Sequence, residues 1–469
     1  MNLKESGLNT REFATMLIKN KLTPKALVKD LDRFFELSGQ KIHMLNKTWK
    51  PANGAPVFTV KGRYTTRGWT EWTQGFQFGC QLLQFDASWK EAYLAMGRKN
   101  TLAHMPAHLS ATGVHDHGFN NVSTYGALRR LARENRTLET EDAMRLYEHA
   151  LMVSGAVQAS RWTTTADGTG FVHSFNGPQS LFSDTIRSMR SLVLAHQLGH
   201  VLMGEGDKPI SLLGRSNEHI YNTLRFNVFY GKGRDAYDIP GRVAHEGLFN
   251  PTDGQYRCPS TQQGYSPFST WTRGLAWILL GCAEQLECFR DRKLDDSIPN
   301  TKGERLIPWM KKAAIATAEF YIEHTTRDGI PFWDTGAPGL AKLGNYTKKD
   351  AEPDNPHEPL DSSAAAIVAQ GLLRLGHYLG VKGKGKRYYQ AGLTVARTLL
   401  REPFLSTDPK HQGLLLNAVY HRPNDWDHTP KGKRVPHGES CMWGDYHAME
   451  LAVYLQREAE GGEYLTFYR

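Results

Sequence analysis

With 469 residues, 40% of them hydrophobic and 22% charged, the chain has the composition of a globular protein with a large buried core. Its formal net charge of +9 favours an anionic ligand as a general field. The basic residues form no stripe interleaved with aromatics, however, which argues against nucleic acid as the partner and for a small acidic one. Five cysteines without CxxC spacing argue against a disulfide scaffold and a zinc site. No apolar run has membrane-spanning length, so a membrane partner is not expected. The opening MNLKESGLNT does not read as a signal peptide, and cytoplasm and periplasm both stay open, as does the oligomeric state.

In chain order, amphipathic helical periodicity is predicted at 10–20 and at 24–38, where Thr23-Pro24 is a start signal. It recurs near 67–83, 87–105, 122–135, 140–159, 184–202, 216–230, 270–287, 307–325, 361–379, 386–402 and 443–457. Asp361, before SSAAAIVAQGLLRLG, is a predicted N-cap. The better strand candidates are PVFTVKGRY near 56–64 and GLLLNAVYHRP near 413–423. These helices pair into about six hairpins. The long loops 107–121, 160–183, 231–269, 328–360 and 403–442 are rich in Gly, His, Asp and Trp, and loops of that length at regular intervals carry function. The predicted architecture is therefore all-α: one (α/α)6 barrel domain over 1–469 with a helical leader at about 1–60. An open solenoid and a pair of bundles are the alternatives.

Two carboxylates stand out. Asp116 lies in GVHDHGFNN between His115 and His117, as a catalytic or sugar-binding group or as a loop carboxylate bound to backbone. A metal reading would use the two histidines, but a third ligand is not evident. Asp184 follows Ser183 at a helix start, where the dipole favours the ionised form and works against a proton donor. Arg187, three residues on, acts in the same direction; burial beside a second carboxylate acts in the opposite one. In QQGYSPFSTWTRGLAW, Arg273 and Trp277 are four apart and share a helix face, a guanidinium beside an aromatic plate suited to a sugar carboxylate. Trp69 and Trp72 permit a similar stacking role. A salt-bridged core Arg with core Trp is the competing reading, and Asp361 and Asp445 read as structural. No P-loop, dinucleotide fingerprint or nucleophile elbow is present.

Taken together, WTQGFQFGCQLLQF, HDHGF, SDTIRSMRSL, GYSPFSTWTRGLAW, GIPFWD, DSSAAAIVAQGLL, GLLLNAVYHRP and WGDY resemble, in order and over roughly 65–457, the unsaturated glucuronyl hydrolases of glycoside hydrolase family 88. The resemblance implies an (α/α)6 barrel acting on lyase-generated acidic oligosaccharides. Their terminal 4,5-unsaturated uronic acid is removed by hydration of the C4–C5 double bond. It also implies Asp184 as general acid/base and Asp116 as the second essential aspartate. Trp72, His115, His245, Gln263, Arg273 and Trp277 match pocket positions, and Ser440 falls where subsite residues tune sulfate tolerance. No metal or organic cofactor is implied, because water addition needs only acid/base groups. Gln74, Phe175 and the Ile-Arg-Ser after Asp184 depart from the family pattern. The alternatives are an unsaturated rhamnogalacturonyl hydrolase, or a polysaccharide lyase or non-catalytic glycan-binding protein on the same toroid.

Overall fold

The computed structural model describes residues 16–67 and 71–469, Glu71 by its backbone alone. The expected helix at 10–20 lies largely outside the described residues, as does Trp69. Twelve principal helices follow in order: α1 (Val28–Thr48), α2 (Gln74–Ser88), α3 (Glu91–His104), and α4, the continuous run His117–Asn121, Val122–Gly126 and Ala127–Arg133. Next come α5 (Glu141–Ser160), α6 (Thr185–Ser188 continuing as Arg190–Gln197), α7 (Leu212–Phe226) and α8 (Thr272–Arg292). The chain closes with α9 (Leu306–His324), α10 (Ser362–Leu379), α11 (Lys386–Leu399) and α12 (Met442–Ala459).

The even-numbered helices form an inner ring in which each touches the next and α12 returns to α2, while the odd-numbered ones pack around them. This is an (α/α)6 barrel. The sequence shows why the two sets differ. Every residue of α8 from Thr272 to Phe289 is buried, and so is every residue of α10 from Ser362 to Gly376. A helix apolar all round belongs inside. α1, by contrast, buries one face through Leu31, Phe34, Phe35 and Ile42, with spacings of three, four and seven, and so serves as an outer helix against α2 and α12. Residues 28–48, set apart as part of a leader by the sequence reading, are thus built into the ring.

Strands are short and lie in the loops. The predicted strand near 56–64 is an antiparallel hairpin, Phe58–Val60 with Arg63–Thr65. The segment 413–423 is no strand; it forms a single bridge, Leu405 with Leu415. A three-stranded sheet of Ser180–Phe182, Glu246–Phe249 and Tyr256–Ser260 spans two of the long loops. Two glycines set inner-helix spacing. A Cβ on Gly75 would meet the Asn120 backbone at 2.3 Å, and one on Gly118 would meet Ser188 O at 2.4 Å. Only glycine permits these approaches of α2 to α4 and α4 to α6.

Candidate active site

The inner helices all begin at the same end of the ring, and a cavity of about 400 Å³ opens there. Trp72, His115, Asp116, Asp184, Gln263, Arg273 and Trp277 all line it. Its floor is closed by the core, where Trp277 packs on Phe119 at 4.9 Å and on His447 at 5.0 Å.

Asp116 stands at the N-cap position of α4 and Asp184 at that of α6. The tight Gly118 contact, with Gly118 N donating to Ser188 Oγ at 2.8 Å, draws the two helix starts together. His115 lies between the carboxylates: its Nε2 is 3.7 Å from Asp116 Oδ1 and 3.9 Å from Asp184 Oδ1. Ligating atoms of all three residues fall within 4.8 Å of one another, and all three side chains are buried. Such a cluster can share a proton or accept a hard cation. His117, the partner in the metal reading from sequence, is turned away. Its ring bonds Ser154 Oγ at 3.0 Å and Ala111 O at 2.8 Å, and burial pushes its pKa down to about 4.

Burial opposes charge on His115, but Asp116 and then Asp184 outweigh it and hold the imidazole pKa above its ordinary value. Burial likewise opposes ionisation of Asp184, yet His115 keeps its carboxyl below the usual range. Arg187 has no part in this. Buried completely, it grips Glu284 through two bonds of 3.0 Å, Glu450 through one of 2.7 Å, and His447. The expectation that Arg187 acts on Asp184 is corrected: its charge is spent on the network beneath the cavity.

His245 reaches Asp184 through the sheet. Phe182 pairs with Glu246, and Ser183 N donates to His245 O at 2.8 Å. Its Nδ1 accepts the backbone N–H groups of Gln262 at 3.0 Å and Gln263 at 3.3 Å. Those bonds place the ring proton on Nε2, which is buried and has no partner among the described residues. Burial holds the His245 pKa down at about 4, so the ring is a neutral donor.

Arg273 departs from the role expected of it. One terminal nitrogen binds Asp361 Oδ2 at 2.6 Å and Val419 O at 2.7 Å; the other binds Gln263 Oε1 at 3.1 Å and Tyr420 O at 2.8 Å. Its guanidinium sits 4.6 Å from the Trp271 ring centre and 5.0 Å from that of Trp443. It is a strut that holds Gln263 and the 419–420 backbone, with no free fork for a sugar carboxylate. Asp361 both caps α10 and anchors this strut. Ser440 is corrected as well. It lies outside the cavity lining, fully buried, and donates to Asp445 Oδ1 at 2.7 Å. The same carboxylate takes the N–H groups of Leu414 and Leu415 and the Tyr64 hydroxyl, which fastens the 413–415 segment to α12.

Phe175 forms part of the wall and stacks on His115 with ring centres 5.9 Å apart. Asn176, Gln262, Tyr420, His421 and Trp426 also line the cavity and were not singled out from sequence. Their advance signal was membership of the long loops and, for Gln262, Tyr420 and His421, of the segments QQGYSPFSTWTRGLAW and GLLLNAVYHRP. Tyr420 and His421 are held by backbone bonds to Asp427, and Trp426 packs against both their rings.

No family-level profile matches the sequence. Individual proteins do. The chain is 23% identical over 407 residues to the unsaturated chondroitin disaccharide hydrolase of Streptococcus agalactiae, covering 86% of this chain and 85% of that one. It is 25% identical over 282 residues to the unsaturated glucuronyl hydrolase of Formosa agariphila, covering 57% and 58%. Among solved structures, the unsaturated glucuronyl hydrolase of Bacillus sp. GL1 superposes with a TM-score of 0.66 at 22% identity, covering 90% of this chain and 95% of that one. The S. agalactiae glucuronyl hydrolase superposes with 0.68 at 21%, covering 99% and 100%. In sequence and in fold alike, the chain is similar to the unsaturated glucuronyl hydrolases.

Proposed function

We propose that this protein removes a 4,5-unsaturated uronic acid from the non-reducing end of lyase-generated acidic oligosaccharides. The observation that carries this reading is His115 held between Asp116 and Asp184 inside one closed-ended cavity. A cavity with a packed floor admits a chain end, whereas a lyase acting within a polymer needs a groove open at both ends. The aromatic wall of Trp72, Phe175, Trp277 and Trp426 offers flat apolar faces to a sugar ring.

In the free site the Asp184 carboxyl is held below its usual range and the His115 imidazole above its ordinary value, which favours the proton on the imidazole. Entry of the substrate carboxylate adds negative charge where water is largely excluded, which raises the proton affinity of Asp184. Asp184 then takes a proton, with His115 as the nearest source at 3.9 Å, and delivers it to C4 of the enol ether. Positive charge develops at C5 and the ring oxygen. Water adds to C5 and returns its proton to the Asp184 carboxylate, giving a hemiketal. Opening of that hemiketal breaks the C5–ring oxygen bond, and the hemiacetal left at C1 collapses to release the aglycone. Asp116 holds ring hydroxyls and balances His115, and the neutral Nε2–H of His245 is placed to donate beside Asp184.

The test is the ultraviolet absorbance of the conjugated acid in unsaturated disaccharides from glycosaminoglycan and from rhamnogalacturonan. Absorbance falls with the first set and is lost to Asp184→Asn. A fall with the second set alone would move the assignment to the sister activity, a rise on intact polymer would make the protein a lyase, and an active Asp184→Asn would remove Asp184 from the mechanism.

A further inference from the structure

The ring has a second end, where the inner helices finish. There a cavity of about 440 Å³ is lined by Arg133, Arg136, Arg292, Arg457 and Arg469 against only Glu134 and Glu463. Arg133 closes α4, Arg292 closes α8, and Arg457 lies in the last turn of α12. The site therefore faces away from Asp116 and Asp184.

Its inner wall is a built network. Buried Asp86 pairs with Arg130 at 2.7 Å, Arg136 at 2.7 Å and Arg457 at 2.6 Å. Glu134 bridges Arg130 and Arg457, each at 2.7 Å. The outer wall comes from the segment after α12: Arg292 donates to Tyr468 O at 2.7 Å, Arg129 donates to Arg469 O at 2.9 Å, and Arg469 pairs with Glu463. Arg133 is exposed and makes no hydrogen bond or ion pair among the described residues. Arg457 is more than nine-tenths buried, and its Nε has no hydrogen-bond partner among the described residues.

Arginine at a helix C-terminus has an ordinary explanation, because each end carries roughly half a negative charge. The three ends here supply roughly one and a half such charges. Of the arginines lining the cavity, Arg136, Arg457 and Arg469 are paired with Asp86, Glu134 and Glu463, whereas Arg133 and Arg292 have no acidic partner among the described residues. Positive charge crowded into a concave, partly desolvated site raises the local potential and draws a counter-anion. Planar guanidinium forks match tetrahedral oxyanions.

We infer that this cavity is a second ligand site, specific for a doubly charged tetrahedral oxyanion, a sulfate or phosphate group free or borne on a small saccharide. It is independent of the hydrolytic reading, and its readout is binding alone.

The experiment compares sodium sulfate and sodium phosphate with sodium chloride at constant ionic strength, by calorimetry and by melting temperature. A sulfated, saturated disaccharide forms a third arm. The variants are the full-length protein, Arg133→Glu/Arg292→Glu and Asp184→Asn. Both substituted arginines are exposed, so the double variant is expected to keep its circular dichroism and its hydrolytic rate. Saturable sulfate or phosphate binding is expected, about tenfold or more weaker in the double variant and unchanged in Asp184→Asn. A disaccharide that binds more tightly than inorganic sulfate and is equally sensitive to the double variant identifies the carrier as saccharide. A disaccharide no tighter than sulfate identifies the free ion. Oxyanion effects no larger than those of chloride, or binding undiminished in a folded double variant, would overturn the inference.

Discussion

Gly118→Ala is the sharpest probe of how the site is assembled. A methyl group there would sit 2.4 Å from Ser188 O, 2.5 Å from its Cα and 2.7 Å from its carbonyl carbon, about 1 Å inside ordinary contact. All three atoms are backbone, so no side chain can rotate away. α4 and α6 must part, or their first turns must tilt. Gly118 is two residues from Asp116 and Ser188 four from Asp184, so this displacement passes directly to the two carboxylates flanking His115. Overpacking of this kind costs about 1–3 kcal/mol of stability. A misplacement of about 1 Å at reacting groups costs on the order of a hundredfold in rate. Gly113 supplies the control from the same loop, because a Cβ there meets nothing within 4 Å and its φ is not positive. Turnover of the unsaturated disaccharide and melting temperature are measured for both variants. Gly118→Ala is expected to fold with kcat lowered on the order of a hundredfold, and Gly113→Ala to match the parent. A Gly118→Ala enzyme with undiminished kcat would show that the α4–α6 approach does not set the carboxylate geometry.

Further outcomes follow from the same geometry. Arg273→Ala leaves Asp361 buried without its cation, so a loss of about 3–5 kcal/mol in chemical denaturation is expected, whereas Gln263→Ala should raise KM with little change in stability; an Arg273→Ala protein as stable as the parent would refute the strut. Asp116→Asn removes the leading charge that raises the His115 pKa, so the imidazole should titrate lower by NMR, and an unmoved titration would count against the shared proton. The sign follows, since the folded His115 pKa is raised: the stabilisation is complete below the ordinary histidine value and is lost as pH rises through the folded one. Ser440→Ala should cost about 1.5–3 kcal/mol through Asp445 while KM for sulfated and unsulfated substrates stays level; a change in sulfate preference would return Ser440 to a subsite.

How much of this was legible depended on the range of the interaction. Asp361 was readable as a cap because its partners, Ser363 N and Ala364 N, are two and three residues away. The helices were readable because their burial follows the local period. Asp116 and Asp184 were readable as candidates, but their meeting was not, since it hangs on Gly118 packing against Ser188, 70 residues on. Arg187 was misjudged, and Arg273 was left between a sugar-binding group and a salt-bridged core residue, for the same reason. Both were placed by sequence neighbours four or fewer residues away, and both are committed to acids 97 and 88 residues distant. Ser440 failed similarly: its bond to Asp445 is local, but the inward turn that hides it is made by its pairing with Thr59 across the 58–65 hairpin.

Commitment of Arg273 raises a physical question, because the proposed substrate is an anion and the cavity already holds two carboxylates. The helix arrangement supplies the answer. α2, α8, α10 and α12 each run 15 or more residues and begin at the same end of the ring, α8 with Arg273 and Trp277 in the cavity wall and α10 already capped by Asp361, while α4 and α6 begin beside Asp116 and Asp184. Each long helix presents roughly half a positive charge at that end. The sum is spread around the rim instead of being focused on one guanidinium. With His115, whose pKa is held above its ordinary value, and the neutral donor of His245, this field offsets Asp116, Asp184 and an incoming carboxylate without a dedicated ion pair. A diffuse field also suits the chemistry. A bidentate arginine would neutralise the incoming carboxylate at one point and cancel its effect on Asp184, whereas a field spread around the rim offsets it only in part, so some of the added negative charge still raises the proton affinity of Asp184. Binding of the substrate and arming of the acid are then one electrostatic event.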